Sequence, residues 1–116
     1  MKNVTLVVGA STNPDRYSNI VIKRLRAKDV PTSAIGLRKG KVVDVSIDVN
    51  KPRYMDIDTV TLYINPKRQK EYYKYIISLQ PRRVIFNPGT ENMEFVKLLN
   101  ECNIESEIAC TLVLLS

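Results

Sequence analysis

Runs of apolar, β-branched residues alternate along this chain with polar turns and with stretches of helical periodicity. The first run covers residues 4–8 and breaks at Gly9, which predicts a buried strand that ends in a polar loop. We expect a helix behind this loop, with Ser18 or Asn19 as its N-cap. A strand, a polar turn and a helix start form a unit that holds phosphate in α/β proteins, because free amide N–H groups and the positive helix end face the same point.

Further strands are predicted from β-branched and aromatic runs at residues 32–37, 59–64, 83–86 and 104–115. The last of these is near-continuously apolar past Ile108, which is typical of a strand covered on both faces. Residues 41–58 keep no helical period, although residues 42–47 fit a short strand.

Two more helices are expected between the later strands. Asn65 and Pro66 fit the N-cap and first turn of a helix that continues to Gln80, and Thr90 is expected to start another that ends at residues 100–103. The sum is an α/β fold in one domain over residues 1–116. It consists of a doubly wound, mainly parallel five-stranded sheet with helices on both faces.

Composition narrows the class of protein. The 116 residues are 44% apolar, yet no apolar run approaches the roughly 20 residues of a membrane helix. The start lacks a signal sequence, so we expect a cytoplasmic protein that does not bind membranes. Cys102 and Cys110 have no C-x-x-C spacing, and the chain has no His, which argues against a zinc site. We expect two buried thiols.

Lys and Arg outnumber Asp and Glu by 18 to 12, a formal charge of +6 that favours anionic partners. Nucleic acid and a phosphorylated cofactor are two such partners. No zinc-finger spacing, aromatic-rich strand pattern or convincing helix-turn-helix supports binding to nucleic acid.

Polar turns follow four of the predicted strands, at residues 9–18, 38–41, 65–68 and 87–90. In an open α/β sheet, ligands bind beyond the carboxyl ends of the strands, where strand order reverses. Arg16, Lys39 and Lys67 would supply positive charge for phosphates there. Neither G-x-G-x-x-G nor G-x-x-x-x-G-K-[ST] occurs, so ordinary NAD and ATP sites have no support.

The stretch V-V-G-A-S-T-N-P-D-R-Y-S-N at residues 7–19 resembles the opening of the CoA-binding domain family. These are small Rossmann-like proteins similar to the N-terminal domain of the succinyl-CoA synthetase alpha subunit. The likeness continues at residues 58–60, at residues 86–89 and at Cys110, and so covers nearly the whole chain. The resemblance implies a Rossmann-like fold with CoA or an acyl-CoA as its cofactor.

The resemblance also implies roles for individual residues. It assigns the nucleotide and its phosphates to Gly9, Ala10, Ser11, Arg16 and Ser18. It places Arg38 and Lys39 beside the adenosine phosphates, and it places around the ligand Asn65, Pro66, Asn87, Pro88 and Gly89. The chain departs from the family pattern at residues 36–39 and 86–88, so the choice between CoA and another adenine nucleotide stays open.

Synthetases of this superfamily use a phosphorylated His, which this chain lacks, so that route of catalysis is excluded. We therefore expect a non-catalytic module that binds CoA or an acyl-CoA. The alternative is an NADP-type dinucleotide-dependent enzyme or an accessory subunit, since Arg38 and Lys39 stand where NAD enzymes carry an acidic residue. A homo-oligomer and a complex with a protein partner both stay open, because an apolar helix face and an interface look alike in one dimension.

Overall fold

A computed structural model describes residues 2–116 and arranges them around one mixed sheet. Its strands are β1 (Val4–Ala10), β2 (Thr32–Gly36), β3 (Gly40–Val42), β4 (Val45–Asp48), β5 (Ile57–Leu62), β6 (Arg83–Phe86) and β7 (Glu105–Ile108). Their order across the sheet is β3-β4-β2-β1-β5-β6-β7. Every neighbouring pair is parallel except β3 and β4.

The helices are α1 (Tyr17–Ala27), α2 (Pro66–Gln69), α3 (Tyr73–Ser78), α4 (Met93–Glu101) and α5 (Thr111–Leu114). A 3-10 turn, Lys70–Tyr72, joins α2 to α3, so the single helix predicted after Asn65 is three short segments. None of the helices between residues 2 and 116 is long and apolar enough to cross a membrane.

Helices cover both faces of the sheet, as predicted. Because strand side chains alternate in direction, each strand contributes residues to a core on either face. On β1, Leu6 and Val8 belong to a core with Ile76 of α3 and Phe95 of α4. Val7 belongs to a second core on the other face, which is built with Val21, Ile22 and Leu25 of α1.

The five-stranded, mainly parallel sheet predicted from sequence is wrong in strand number, because seven strands form within the described residues. Residues 42–47 are not one strand. The chain turns back at Val43 and Asp44, with Val43 at φ +57°, and β3 pairs antiparallel to β4. A β-branched residue is unusual in this left-handed conformation, so the sequence does not point to a turn there.

The final strand predicted over residues 104–115 is also wrong beyond Ile108. The chain leaves β7 and forms α5. Leu112 within α5 and Leu115 at its C-cap pack against the core on the α1 side. Val113, between them, is 67% exposed. The apolar run after Ile108 therefore forms a helix with one buried side. It does not extend β7, which is an edge strand of the sheet.

Helix starts and cysteines also differ from expectation. Arg16, and not Ser18 or Asn19, occupies the N-cap of α1, and its side chain makes no capping bond. Asn92, rather than Thr90, caps α4 by accepting a hydrogen bond from the Phe95 amide. The two thiols are not both buried: Cys102 is exposed and Cys110 is half-buried, at the N-cap of α5.

Candidate functional site

A cleft of about 750 Å³ lies at the carboxyl ends of β1, β2, β5 and β6. This is the place where strand order reverses, since the chain runs outward from β1 on one side and from β5 on the other. Its volume is in the range of small-molecule and cofactor sites. The cleft is lined by Gly9, Ala10, Ser11, Thr12, Asn13, Arg16, Tyr17, Ser18, Leu37, Arg38, Tyr63, Ile64, Asn65, Arg68, Pro88, Gly89 and Thr90.

Close backbone packing forms the floor of the cleft at Gly9. Gly9 has φ +99°, and a Cβ atom there would lie 2.9 Å from the carbonyl carbon of Tyr63. The end of β2 approaches β1 even more closely, because a Cβ atom at Gly36 would lie 2.3 Å from the carbonyl oxygen of Ala10. Small residues therefore let the ends of three neighbouring strands meet at close backbone distances.

The loop between β1 and α1 is fixed by its own side chains. The Asn13 amide donates to Ser11 Oγ at 3.0 Å, and the Asp15 amide donates to Asn13 Oδ1 at 2.9 Å. The buried side chain of Asn19 donates from Nδ2 to the Ser11 carbonyl oxygen at 3.0 Å. These bonds hold the start of α1 against the bend, where the Tyr17 and Ser18 amides have no intrahelical acceptor.

Three arginines enter the cleft from three different loops. Arg16 follows β1, Arg38 follows β2, and Arg68 lies in α2, which follows β5. The ion pairs within residues 2–116 use other arginines, namely Arg26, Arg82 and Arg83. No Asp or Glu lines this cleft in the described chain, so the three arginines have no acidic residue beside them in its lining.

A buried amide network supports one wall of the cleft. Gln69, which has no exposed surface, donates from Nε2 to the carbonyl oxygens of Ile64 at 2.9 Å and Thr90 at 2.8 Å. Asn92 Nδ2 donates to Gln69 Oε1 at 2.9 Å. The loops after β5 and β6 are therefore joined into one rigid wall.

Asn87 lies behind that wall and does not line the cleft. Its Nδ2 donates to Thr61 Oγ1 at 2.7 Å and to the Leu62 carbonyl oxygen at 2.8 Å. Its Oδ1 accepts the Thr111 amide at 2.8 Å. Asn87 thus connects β5, the end of β6 and the start of α5.

The polar side chains of the cleft lining are hydroxyl, amide and guanidinium groups. Its lining carries hydroxyl groups, but a hydroxyl nucleophile requires a neighbouring base, and no carboxylate or His is present in this lining. Burial raises the pKa of the Tyr63 phenol, so this group is neutral over the whole physiological pH range. No cluster of His, Cys, Asp or Glu that could hold a metal ion occurs within residues 2–116.

Most residues singled out from sequence meet in this cleft: Gly9, Ala10, Ser11, Arg16, Ser18, Arg38, Asn65, Pro88 and Gly89. The other four, Lys39, Pro66, Lys67 and Asn87, lie outside its lining. Their contact with a ligand, like that of the first nine, stays a prediction.

Sequence reasoning missed eight lining residues: Thr12, Asn13, Tyr17, Leu37, Tyr63, Ile64, Arg68 and Thr90. Seven of them, all except Tyr63, lie inside or directly beside the polar turns at residues 9–18, 38–41, 65–68 and 87–90. Arg68 is the consequential omission: the sequence places both Lys67 and Arg68 in the first turn of a helix, where an anion would suit them, but the site prediction names only Lys67. The predicted N-cap at Asn65 is the signal that could have identified Arg68, because it makes Arg68 the third residue of α2.

Solved structures share the whole architecture. An uncharacterized protein matches with a TM-score of 0.95 and 44% identity, over 99% of this chain and 95% of that one. A hypothetical protein from Pyrococcus horikoshii OT3 matches with a TM-score of 0.81 and 28% identity, over 94% and 76%. A protein from Thermus thermophilus, at 20% identity, shows the same fold with a TM-score of 0.82, over 97% and 87%.

Comparison with curated proteins gave no significant match. The family described as the CoA binding domain matches residues 3–116, which include every strand and helix and the entire cleft. This agrees with the resemblance seen at residues 7–19. The chain belongs to the CoA binding domain family.

Proposed function

We propose that this protein binds CoA or an acyl-CoA in the cleft and does not transform it. The observation that carries the proposal is a set of three arginines in the cleft lining, Arg16, Arg38 and Arg68. They surround the bend at Gly9 and the start of α1, and they form no ion pair within the described residues. CoA has a pyrophosphate and a separate 3′-phosphate, and guanidinium groups bind phosphoryl oxygens in a bidentate manner. The proposal covers both ligands because these groups address the nucleotide half that CoA and acyl-CoA share.

The absence of a base beside the lining hydroxyls supports a binding role rather than catalysis. A protein of this kind would act as a sensor or carrier of the cofactor, or as a subunit that presents it. The cleft is held open by bonds within its own loops, such as Asn19 Nδ2 to the Ser11 carbonyl oxygen. A preformed site of this type loses little conformational entropy on binding.

A second candidate ligand is NADP. The basic Arg38, two residues after β2, suits a ribose 2′-phosphate, whereas an NAD site carries an acidic residue near that strand end. The missing G-x-G-x-x-G pattern weighs against this alternative.

The test is the thermal stability of the purified protein with each ligand. A ligand that binds only the folded state raises the melting temperature, and the rise grows with the logarithm of the ligand concentration once this exceeds Kd. We expect CoA and acetyl-CoA at millimolar concentration to raise it and NADPH to have little effect. Protection by NADPH without protection by CoA would favour the alternative, and no protection by CoA would refute the proposal.

Two variants that each lose one positive charge test whether the ligand binds in the cleft. Arg16→Ala removes a cation of the cleft, while Lys23→Ala removes an exposed cation from α1 away from it. Removing a charge-assisted phosphate contact is expected to weaken binding about tenfold or more. Equal losses in the two variants would show that only net charge matters, which contradicts a cleft site.

A further inference from the structure

Arg68 and Lys67 are adjacent cations with different surroundings. Arg68 is half-buried and lines the cleft, whereas Lys67 is exposed and does not. Neither takes part in the ion pairs found within the described residues. A half-buried guanidinium without an acidic partner has a desolvation cost that a bound anion would offset.

The backbone on both sides of Arg68 is locked. Its own amide donates to Asn65 Oδ1 at 2.9 Å, which closes the first turn of α2. The next residue, Gln69, is fully buried and bonded to Ile64 and Thr90, so α2 cannot rotate about its axis without breaking both bonds. The direction in which the Arg68 side chain leaves the helix is therefore set by neighbours that never touch a ligand.

Strand order places the three cleft arginines in a row. The strands run β2-β1-β5, so Arg38, Arg16 and Arg68 follow three consecutive strands. Neighbouring strands lie about 4.8 Å apart, and the outer two are therefore about twice that distance from each other at the sheet edge. The bend at Gly9 and the start of α1 occupy the middle of the row.

We infer that Arg68 pairs with the pyrophosphate of bound CoA, from the side of the glycine bend opposite Arg38. This inference rests on the proposed function. A pyrophosphate seated at the bend lies between Arg16 and Arg68, while the 3′-phosphate falls to the β2 side of the row. Arg68 then contributes to affinity for every ligand with the pyrophosphate, and Arg38 discriminates for the 3′-phosphate.

Calorimetric titration of the full chain with CoA and with dephospho-CoA tests the inference. Arg68→Gln is expected to weaken both ligands by a similar factor of about ten or more, because one charge-assisted contact is lost from each. Lys67→Gln has the same change of charge and is expected to stay within about twofold of the wild type. Arg68→Lys, which keeps the charge and the local fold but not the bidentate geometry, is expected to fall between them.

The outcomes separate the two claims. If the wild type binds CoA and Arg68→Gln and Arg68→Lys bind it equally well, the inference fails and the proposed function stands. A loss confined to CoA, with dephospho-CoA unaffected, would place Arg68 at the 3′-phosphate and also overturn the inference. If the folded wild type binds neither ligand, the proposed function itself fails.

Discussion

The side-chain amide of Gln69 donates to the carbonyl oxygen of Thr90 at 2.8 Å, across the gap between the loops that follow β5 and β6. Gln69 is completely buried, and its three bonds satisfy the Ile64 and Thr90 carbonyl oxygens and one Asn92 donor. One uncharged side chain thus holds together the wall of the cleft that contains Arg68 and Thr90.

Gln69→Leu keeps the approximate volume but leaves those buried polar groups without partners. We expect the free energy of unfolding to fall by about 2 kcal/mol or more, because each unpaired buried group costs about 1–3 kcal/mol. Urea unfolding measures this, and Lys70→Leu, at an exposed neighbouring position, is the control. A loss below about 0.5 kcal/mol, the usual range of surface substitutions, would contradict the structural role of the amide.

Gly9 and Gly89 both have positive φ, at +99° and +90°, but their surroundings differ. A Cβ atom at Gly9 would meet the Tyr63 backbone at 2.9 Å, while one at Gly89 meets nothing within 4 Å. Alanine at either position carries backbone strain of about 1–2 kcal/mol, and only Gly9→Ala adds a clash worth about 1–3 kcal/mol. We predict a clearly larger loss of unfolding free energy for Gly9→Ala. Equal losses would mean that the strand ends are less tightly packed than described.

Asn87 connects α5 to the sheet through its bond from the Thr111 amide. Asn87→Ala leaves that amide and the Leu62 carbonyl oxygen unpaired, so we expect α5 to open locally more often. Amide hydrogen exchange at residues 111–115 should accelerate about tenfold or more, with little change in α4. Asn50→Ala, at an exposed loop position, is the control. Unchanged protection of α5 would show that Leu112 and Leu115 hold it without Asn87.

The pairing of Asp58 with Arg82 makes the free energy of unfolding depend on pH in the acid range. Hydrogen bonds from the Arg82 guanidinium, at 2.9 and 3.1 Å, hold the pKa of the Asp58 carboxyl below its usual range. The unfolded chain, with an ordinary pKa of about 3.9, then binds more protons than the folded one in acid. The contribution is complete well above that value and is lost as pH falls through the lowered folded pKa.

We therefore predict that Asp58→Asn lowers the free energy of unfolding at pH 7 and that the difference from the wild type shrinks toward pH 3. Urea unfolding at both pH values tests this. Asp44→Asn is unsuitable as a control, because Arg26 also lowers the pKa of Asp44. Asp56→Asn is suitable, since it removes a carboxyl that forms no ion pair within residues 2–116. A difference for Asp58→Asn that is constant with pH would contradict the assignment.

Features of the fold with local causes could be predicted from sequence. The N-cap at Asn65 is confirmed, because an Asn followed by Pro satisfies helix-start geometry without distant contacts. The strand before Gly9 and the meeting of the β1 and β2 loops at one edge are also confirmed. A buried parallel strand and the position of its carboxyl end depend on general rules of α/β topology.

Features decided by tertiary contacts could not be predicted in the same way. The turn at Val43 places a β-branched residue at positive φ, against its local preference. The run after Ile108 is apolar in either conformation, and only the packing of Leu112 and Leu115 beside α1 makes it a helix. Arg68 reaches the cleft instead of Lys67 because buried Gln69 fixes the rotation of α2.

The central claim, that CoA occupies the cleft at the strand ends, is tested most directly by an amide NMR titration of the isotope-labelled protein. The account predicts saturable shift changes that are largest at Ala10, Ser11, Ser18 and Gly89. A folded spectrum that does not change at millimolar CoA would contradict the claim. So would changes centred on the separate surface depression between Arg26 and Asp44.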